Sequence, residues 1–180
     1  MTKFLTILFS LYFSTNLNAD QNSPKLDFFF EELLQEKDIS KQNIIISSIW
    51  GEWMQSDNTD VQIIMDNMPK YFQSKNYKEA ISALTFVIEL EPSFSEAYNK
   101  RATFYFMMGD YEKSMRDIEI TLTLEPRHFG ALDGMSRILI YFEKYQQALK
   151  VYDEMKLLMP NDSSIDNKIE SLNKLIYDNA

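Results

Sequence analysis

The sequence predicts an all-α fold, an α-solenoid built from three helical hairpins of 34 residues each. Three columns of residues carry that reading. Pro92, Pro126 and Pro160 are spaced 34 residues apart, as are Tyr77, Tyr111 and Tyr145, and so are the small residues Ala80, Ser114 and Ala148. Independent columns sharing one period mark internal repetition, in which each unit buries its apolar face against its neighbours. Composition agrees. Four glycines and five prolines in 180 residues leave long uninterrupted elements and few of the turns a β fold needs.

Taken in chain order, the first twenty residues stand apart. Lys3 is the sole charge before Asp20, Phe4 to Phe13 is an apolar run, and small and polar residues follow up to Ala19. That layout predicts a secretory signal peptide over 1–19 with cleavage after Ala19, although Leu17 is larger than the usual small residue there. The run is too short to cross a hydrocarbon core of about 30 Å as a helix. Export to the periplasm or the medium is the expectation, with a membrane-tethered or cytoplasmic chain as the alternative.

Residues 25–60 read as a further helical hairpin, from Leu26–Leu34 and Ile44–Met54. Shifted by two periods, Phe30, Ile46, Trp50 and Trp53 fall in the columns of Tyr98, Ser114, Ile118 and Thr121. This predicts a degenerate fourth repeat in which aromatics replace small residues.

The three full repeats occupy 61–94, 95–128 and 129–162. In the middle one, Gly109-Asp110 separates two helices, because glycine reaches positive φ without steric cost. Ala102 and Ser114 let the helices approach, Tyr105, Ile118 and Leu122 fill the space between them, and Pro126 ends the second helix. The first repeat carries Met68 in a small-residue column and Pro69 inside its first helix, which predicts a bent or short helix. The third has Glu143-Lys144 in place of Gly-Asp. Over 163–178, Ile165, Ile169, Leu172 and Ile176 form one apolar stripe, as a helix capping the stack requires.

These columns resemble the tetratricopeptide repeat (TPR) pattern Trp-x-x-Leu-Gly-x-x-Tyr … Ala-x-x-x-Phe … Pro. The middle repeat matches it with Tyr98, Ala102, Tyr105, Ser114, Ile118 and Pro126. The segments LDFFFEELL, IWGEWMQS, NKRATFYFMMGDYEKSMRDI and LEPRHFGAL also resemble a group of small alphaproteobacterial TPR proteins that supplies no activity to carry over. The TPR resemblance implies a superhelix whose concave groove is lined by the first helix of each hairpin. In this chain the implied groove residues are Glu96, Asn99, Thr103, Phe106 and Met107 in the middle repeat. Gly130, Asp133, Arg137, Ile140 and Tyr141 follow in the third, and Gln62, Met65, Pro69, Phe72 and Gln73 in the first. Asn99, Thr103, Phe106, Arg137 and Tyr141 are the candidate contacts for a partner peptide or helix.

TPR co-chaperones that hold a C-terminal carboxylate use a clamp of Lys, Asn and Arg. Here Met65, Pro69, Thr103 and Asp133 occupy four of the clamp columns, and Arg137 alone matches. A charge-assisted clamp needs its full set of donors, so chaperone-tail binding is not expected. At the junction between the second and third repeats, Arg127 and His128, with Arg101, form a candidate contact for an acidic group at a helix N-terminus. The favoured alternative is that His128 caps or packs the turn and Arg127 pairs with Glu125 or a neighbouring acid.

Other classes are disfavoured. A net charge of −9 repels polyanions, so no nucleic-acid partner is expected. One histidine and no cysteine leave too few ligands for a zinc or multi-histidine site, and no cofactor is expected. The four scattered glycines form no phosphate loop, and no nucleophile motif is present. The reading is a non-catalytic protein-interaction scaffold. Its alternative is a structural subunit that self-associates through exposed Phe28, Phe29, Trp50 and Trp53.

Overall fold

A computed structural model describes residues 23–178, and the expected signal segment lies outside them. The described residues form nine α-helices and no strand. The N-terminal hairpin is α1 (Pro24–Gln35) and α2 (Ile39–Trp53). The first repeat is α3 (Thr59–Gln73) and α4 (Tyr77–Leu90), the second α5 (Ser95–Met107) and α6 (Tyr111–Leu124). The third is α7 (Phe129–Tyr141) and α8 (Tyr145–Leu158), followed by α9 (Ser163–Asp178).

Local chemistry explains where these helices start. Ser23, Asp38, Asn58 and Asp110 each place a side-chain oxygen on free N–H groups of the first turn. The turn inside each repeat is equally regular. Lys75, Gly109 and Glu143 occupy the same repeat position, and all three have positive φ, at 56°, 77° and 58°. The following N–H groups of Asn76, Asp110 and Lys144 bond back to the carbonyls of Tyr71, Tyr105 and Leu139 at 2.8–3.0 Å, a Schellman closure. Glu143-Lys144 therefore keeps the Gly-Asp geometry, and Glu143 bears the roughly 1–2 kcal/mol that a Cβ costs in this conformation.

Inside each repeat the small column permits close approach. Ala80, Ser114 and Ala148 are fully buried, and the Ser114 hydroxyl donates to the Ala102 carbonyl at 2.8 Å. Pro69 does not shorten its helix as expected. α3 runs through it to Gln73 and is two residues longer than α5 or α7 (15 against 13). Proline removes one backbone hydrogen bond, but Val61, Met65 and Met68 anchor one face of the helix in the core and hold it together.

At the far end α9 closes the stack as its stripe predicts. Ile165 and Leu172 are buried, and Ile169 and Ile176 pack half-buried beside them.

The N-terminal hairpin departs from expectation in its position. Val61, Met65, Met68, Ala80, Leu84 and Val87 of the first repeat form one apolar cluster with Phe94, Ala97 and Phe104. Leu26, Phe30, Leu33, Ile49 and Trp53 join a different cluster, made with the second and third repeats and α9. The hairpin thus skips its neighbour in sequence and lies along the later inter-repeat junctions. Asp27 pairs with Arg127, Asn161 donates to the Leu34 and Glu36 carbonyls, and Gln42 donates to the Asn161 carbonyl. Ile46, Trp50 and Trp53 sit in columns that the stack fills with Ser114, Ile118 and Thr121.

Candidate binding groove

The first helices of the second and third repeats, α5 and α7, present their concave residues side by side, and the two ends of this surface differ. At the N-terminal end the residues are covered. Glu96 is fully buried, and Asn99 is 7% exposed. Asn99 Nδ2 donates to Glu96 Oε2 at 2.8 Å, and Lys100 Nζ lies 2.9 Å from Oε1. His128 Nδ1 accepts the Ala131 N–H and so caps α7, which leaves the proton on Nε2 to meet Glu96 Oε2 at 2.9 Å. Burial by itself would raise the Glu96 carboxyl, but the His128 hydrogen bond and the Lys100 charge override it and hold the group below its ordinary 4.5.

Two tryptophans of α2 roof this polar floor. Trp53 stacks on His128, and Trp50 meets His128 and Phe129 edge-on while Lys100 stands over its ring. Gly130 supplies the space. A Cβ there would come within 2.6 Å of the Trp50 ring. The self-association surface expected of the hairpin is accordingly reduced. Trp53 is fully buried, Trp50 and Phe29 are half-buried, and of the four aromatics only Phe28 stays exposed.

The C-terminal end of the groove is open. Thr103 is exposed and donates to the Asn99 carbonyl. Phe106 is half-buried with its edge on Tyr111, and Tyr141, 60% exposed, packs on the same tyrosine at 4.4 Å. Phe142 adds to this aromatic group, and Met107 and Met108 lie exposed beside it. Arg137 is exposed and paired with Asp133, whose other oxygen holds Lys168 of α9.

Of the five candidate partner contacts, Thr103, Phe106, Arg137 and Tyr141 therefore share the open end. Asn99 does not join them, since it is buried and donates to Glu96. Tyr111, Phe142 and Met108 belong to the open end although groove facing did not select them; the 34-residue tyrosine column was the signal for Tyr111. The three candidate anion contacts are engaged within the chain. Arg101 makes a two-pronged pair with Asp117 and also reaches Thr85. Arg127 forks onto Glu125 and reaches Asp27, and His128 is fully buried. These contacts serve the junctions, and no solvent-facing anion site results. Among the described residues no cluster of three or more His, Cys, Asp or Glu has metal-holding geometry. No described helix is long and apolar enough to cross a membrane.

Comparison with known proteins decides the family. A TPR repeat-containing protein of Rhizobium etli is 37% identical over 153 residues, covering 84% of this chain and 75% of that one. The chain belongs to the TPR repeat-containing proteins. No family model matches it. More distant relatives include a DnaJ homolog subfamily C member 7 homolog of Dictyostelium discoideum, 24% identical over 56% of this chain and 20% of that protein. Hsp70-Hsp90 organizing protein 3 of Arabidopsis thaliana is 24% identical over 59% of this chain and 19% of its own length. The chain thus spans about a fifth of these two proteins. Among solved structures, the first TPR of Spaghetti (RPAP3) bound to the HSP90 peptide SRMEEVD superposes with a TM-score of 0.62 at 20% identity. It covers 68% of this chain and 99% of that domain. The Sgt2 TPR domain from Aspergillus fumigatus gives 0.60 at 18% identity, covering 67% and 81%. At such identities these structures establish the TPR fold alone.

Proposed function

We propose that this TPR protein is a non-catalytic interaction scaffold that docks a peptide or helix of a partner protein at the open end of its groove. The observation that carries the reading is the aromatic group of Phe106, Tyr111, Tyr141 and Phe142. It is left half-exposed between two groove helices, with Met107 and Met108 beside it. Contiguous exposed apolar surface of this kind marks interaction sites, and methionine adapts to a partner's shape. Thr103 and Arg137 supply polar groups at its rim. An apolar stripe of an amphipathic helix, or an extended peptide with alternate apolar side chains, matches such a surface.

The relative solved with an HSP90 peptide makes an acidic chaperone tail the obvious comparison. The clamp columns speak against it here. Met65 is fully buried, Pro69 has no donor, Asp133 repels a carboxylate, and Arg137 is already paired. A titration with the SRMEEVD peptide is expected to show no saturable binding.

The test of the proposal is affinity capture from cell extract with the wild-type chain, Phe106→Ala, Tyr141→Ala and the convex-face control Glu119→Ala. Loss of the captured partner with the first two variants and retention with the third supports the groove. Capture that persists in both groove variants overturns it. Export through residues 1–19 is also proposed. N-terminal sequencing of the mature protein is expected to begin after Ala19, and an intact Met1 would refute it.

A further inference from the structure

We propose that the N-terminal hairpin is a built-in cover of the N-terminal end of the groove, seated on Gly130 and His128 beside the buried Glu96, and that it swings off as a unit to extend the groove to its full length. The proposal rests on the groove reading above and adds the device that regulates it.

Several independent features carry it. First, the hairpin packs with the second and third repeats and α9, whereas the first repeat keeps a separate cluster. Its removal therefore leaves the contacts of α3, α4, α5 and α6 with one another in place. Second, only the short connector 54–58 ties α2 to α3, so the hairpin can pivot without unthreading any helix. Third, the surface beneath it has the character of a binding floor. Glu96, a carboxylate with no exposure, and Asn99 occupy groove-lining positions, and Lys100 and the connector residue His128 hold the carboxylate. An interface serving only to fill a core gains nothing from a buried carboxylate, whose desolvation must be offset by its partners. Fourth, docking leaves one cost uncompensated. The Trp53 indole N–H is buried without a hydrogen-bond partner, whereas an undocked hairpin returns it to water. α2 thus holds the N-terminal edge of the groove with two aromatic anchors, Trp50 in the Gly130 notch and Trp53 on His128.

A tethered occupant acts at high effective concentration, so a free competitor binds poorly until the tethered copy is weakened. The experiment uses the full chain and a labelled synthetic peptide of residues 24–54. Phe30→Ser with Trp53→Ser weakens the tethered hairpin and leaves the groove floor unaltered. The peptide is expected to bind this variant at least about tenfold more tightly than the wild-type chain. Equal binding to both chains, or binding to neither, overturns the proposal. So does loss of amide protection in α5, α6, α7 and α8 of the variant, since the hairpin would then be an inseparable part of the fold. Native-state hydrogen exchange on the wild-type chain gives a second test without any substitution. The amides of α1 and α2 are expected to exchange through a partial opening that leaves α5 to α8 protected; exchange of all of them together contradicts it. The two proposals fail separately. If Phe106→Ala and Tyr141→Ala abolish capture while the peptide discriminates nothing, the hairpin device falls and the groove stands. If the peptide discriminates while capture survives both substitutions, the open-end site falls and the hairpin device stands.

Discussion

The Trp53 indole lies flat on the His128 imidazole, ring centroids 4.1 Å apart and planes 11° from parallel. This contact joins the N-terminal hairpin to the junction between the second and third repeats. Its imidazole holds three things at once: the Trp53 face, the Ala131 N–H and the buried Glu96 carboxylate. His128→Ala removes the α7 cap and leaves Lys100 and Asn99 as the remaining partners of Glu96. Urea denaturation is expected to show a loss of about 2–4 kcal/mol, from a lost cap and an under-bonded buried group. A loss near zero would mean that the buried pair contributes nothing net.

Acid should weaken the protein through Glu96. Its folded carboxyl titrates below the ordinary 4.5, since His128 and Lys100 outweigh the effect of burial. A depressed folded value stabilises the protein above 4.5 and loses that contribution as pH falls through the folded value. Asp133 acts in the same direction. Burial opposes its ionisation, but Lys168 and Arg137 prevail and hold it below 3.8. Urea midpoints measured downward from neutral pH are expected to fall steeply below 4.5. Glu96→Gln should flatten part of that acid limb, and an unchanged limb would contradict the assignment.

Pro69→Ala restores the N–H that the α3 interior lacks. Pro69 is exposed, so the substitution disturbs no packing. Stability is expected to rise by about 1–3 kcal/mol, read as a higher thermal midpoint, because proline in a helix interior costs roughly that much relative to alanine. An unchanged or lower midpoint would show that the helix has adapted around the ring.

Ala148→Leu and Tyr141→Ser separate core from surface. Ala148 is fully buried where α7 and α8 approach, and added methylenes there should cost about 1–3 kcal/mol. Tyr141 is largely exposed, and its loss should leave stability within about 0.5 kcal/mol while removing the partner contact. Chemical denaturation of the two variants beside the wild type checks both.

The repeat was legible because it is written as a period. The columns at Pro126, Tyr111 and Ser114 set helix ends, turn geometry and close approach locally, one hairpin at a time. The stripe of Ile165 and Leu172 read correctly for the same reason. What was not legible depends on long-range choice. Nothing local to Trp50 and Trp53 says that they seat against Gly130 and His128, far along the chain. The frame shift that placed them in a degenerate fourth repeat gave their columns and named no partners for them. Asn99 illustrates the consequence for the site. Its place in the repeat faces it toward the groove, but in the fold it is buried and donates to Glu96. Arg101 and Arg127 were legible as cations near a junction. The pairing of Arg127 with Glu125 two residues away was legible too, whereas Asp117 and Asp27 as partners required the fold.

Site-specific photocrosslinking in cells tests the central claim most directly, with a photoreactive residue placed in turn at Tyr141, Thr103 and the convex-face Glu119. Tyr141 and Thr103 are expected to crosslink one shared partner, and Glu119 none. Crosslinks from Glu119 alone, with the two groove positions silent, would contradict it.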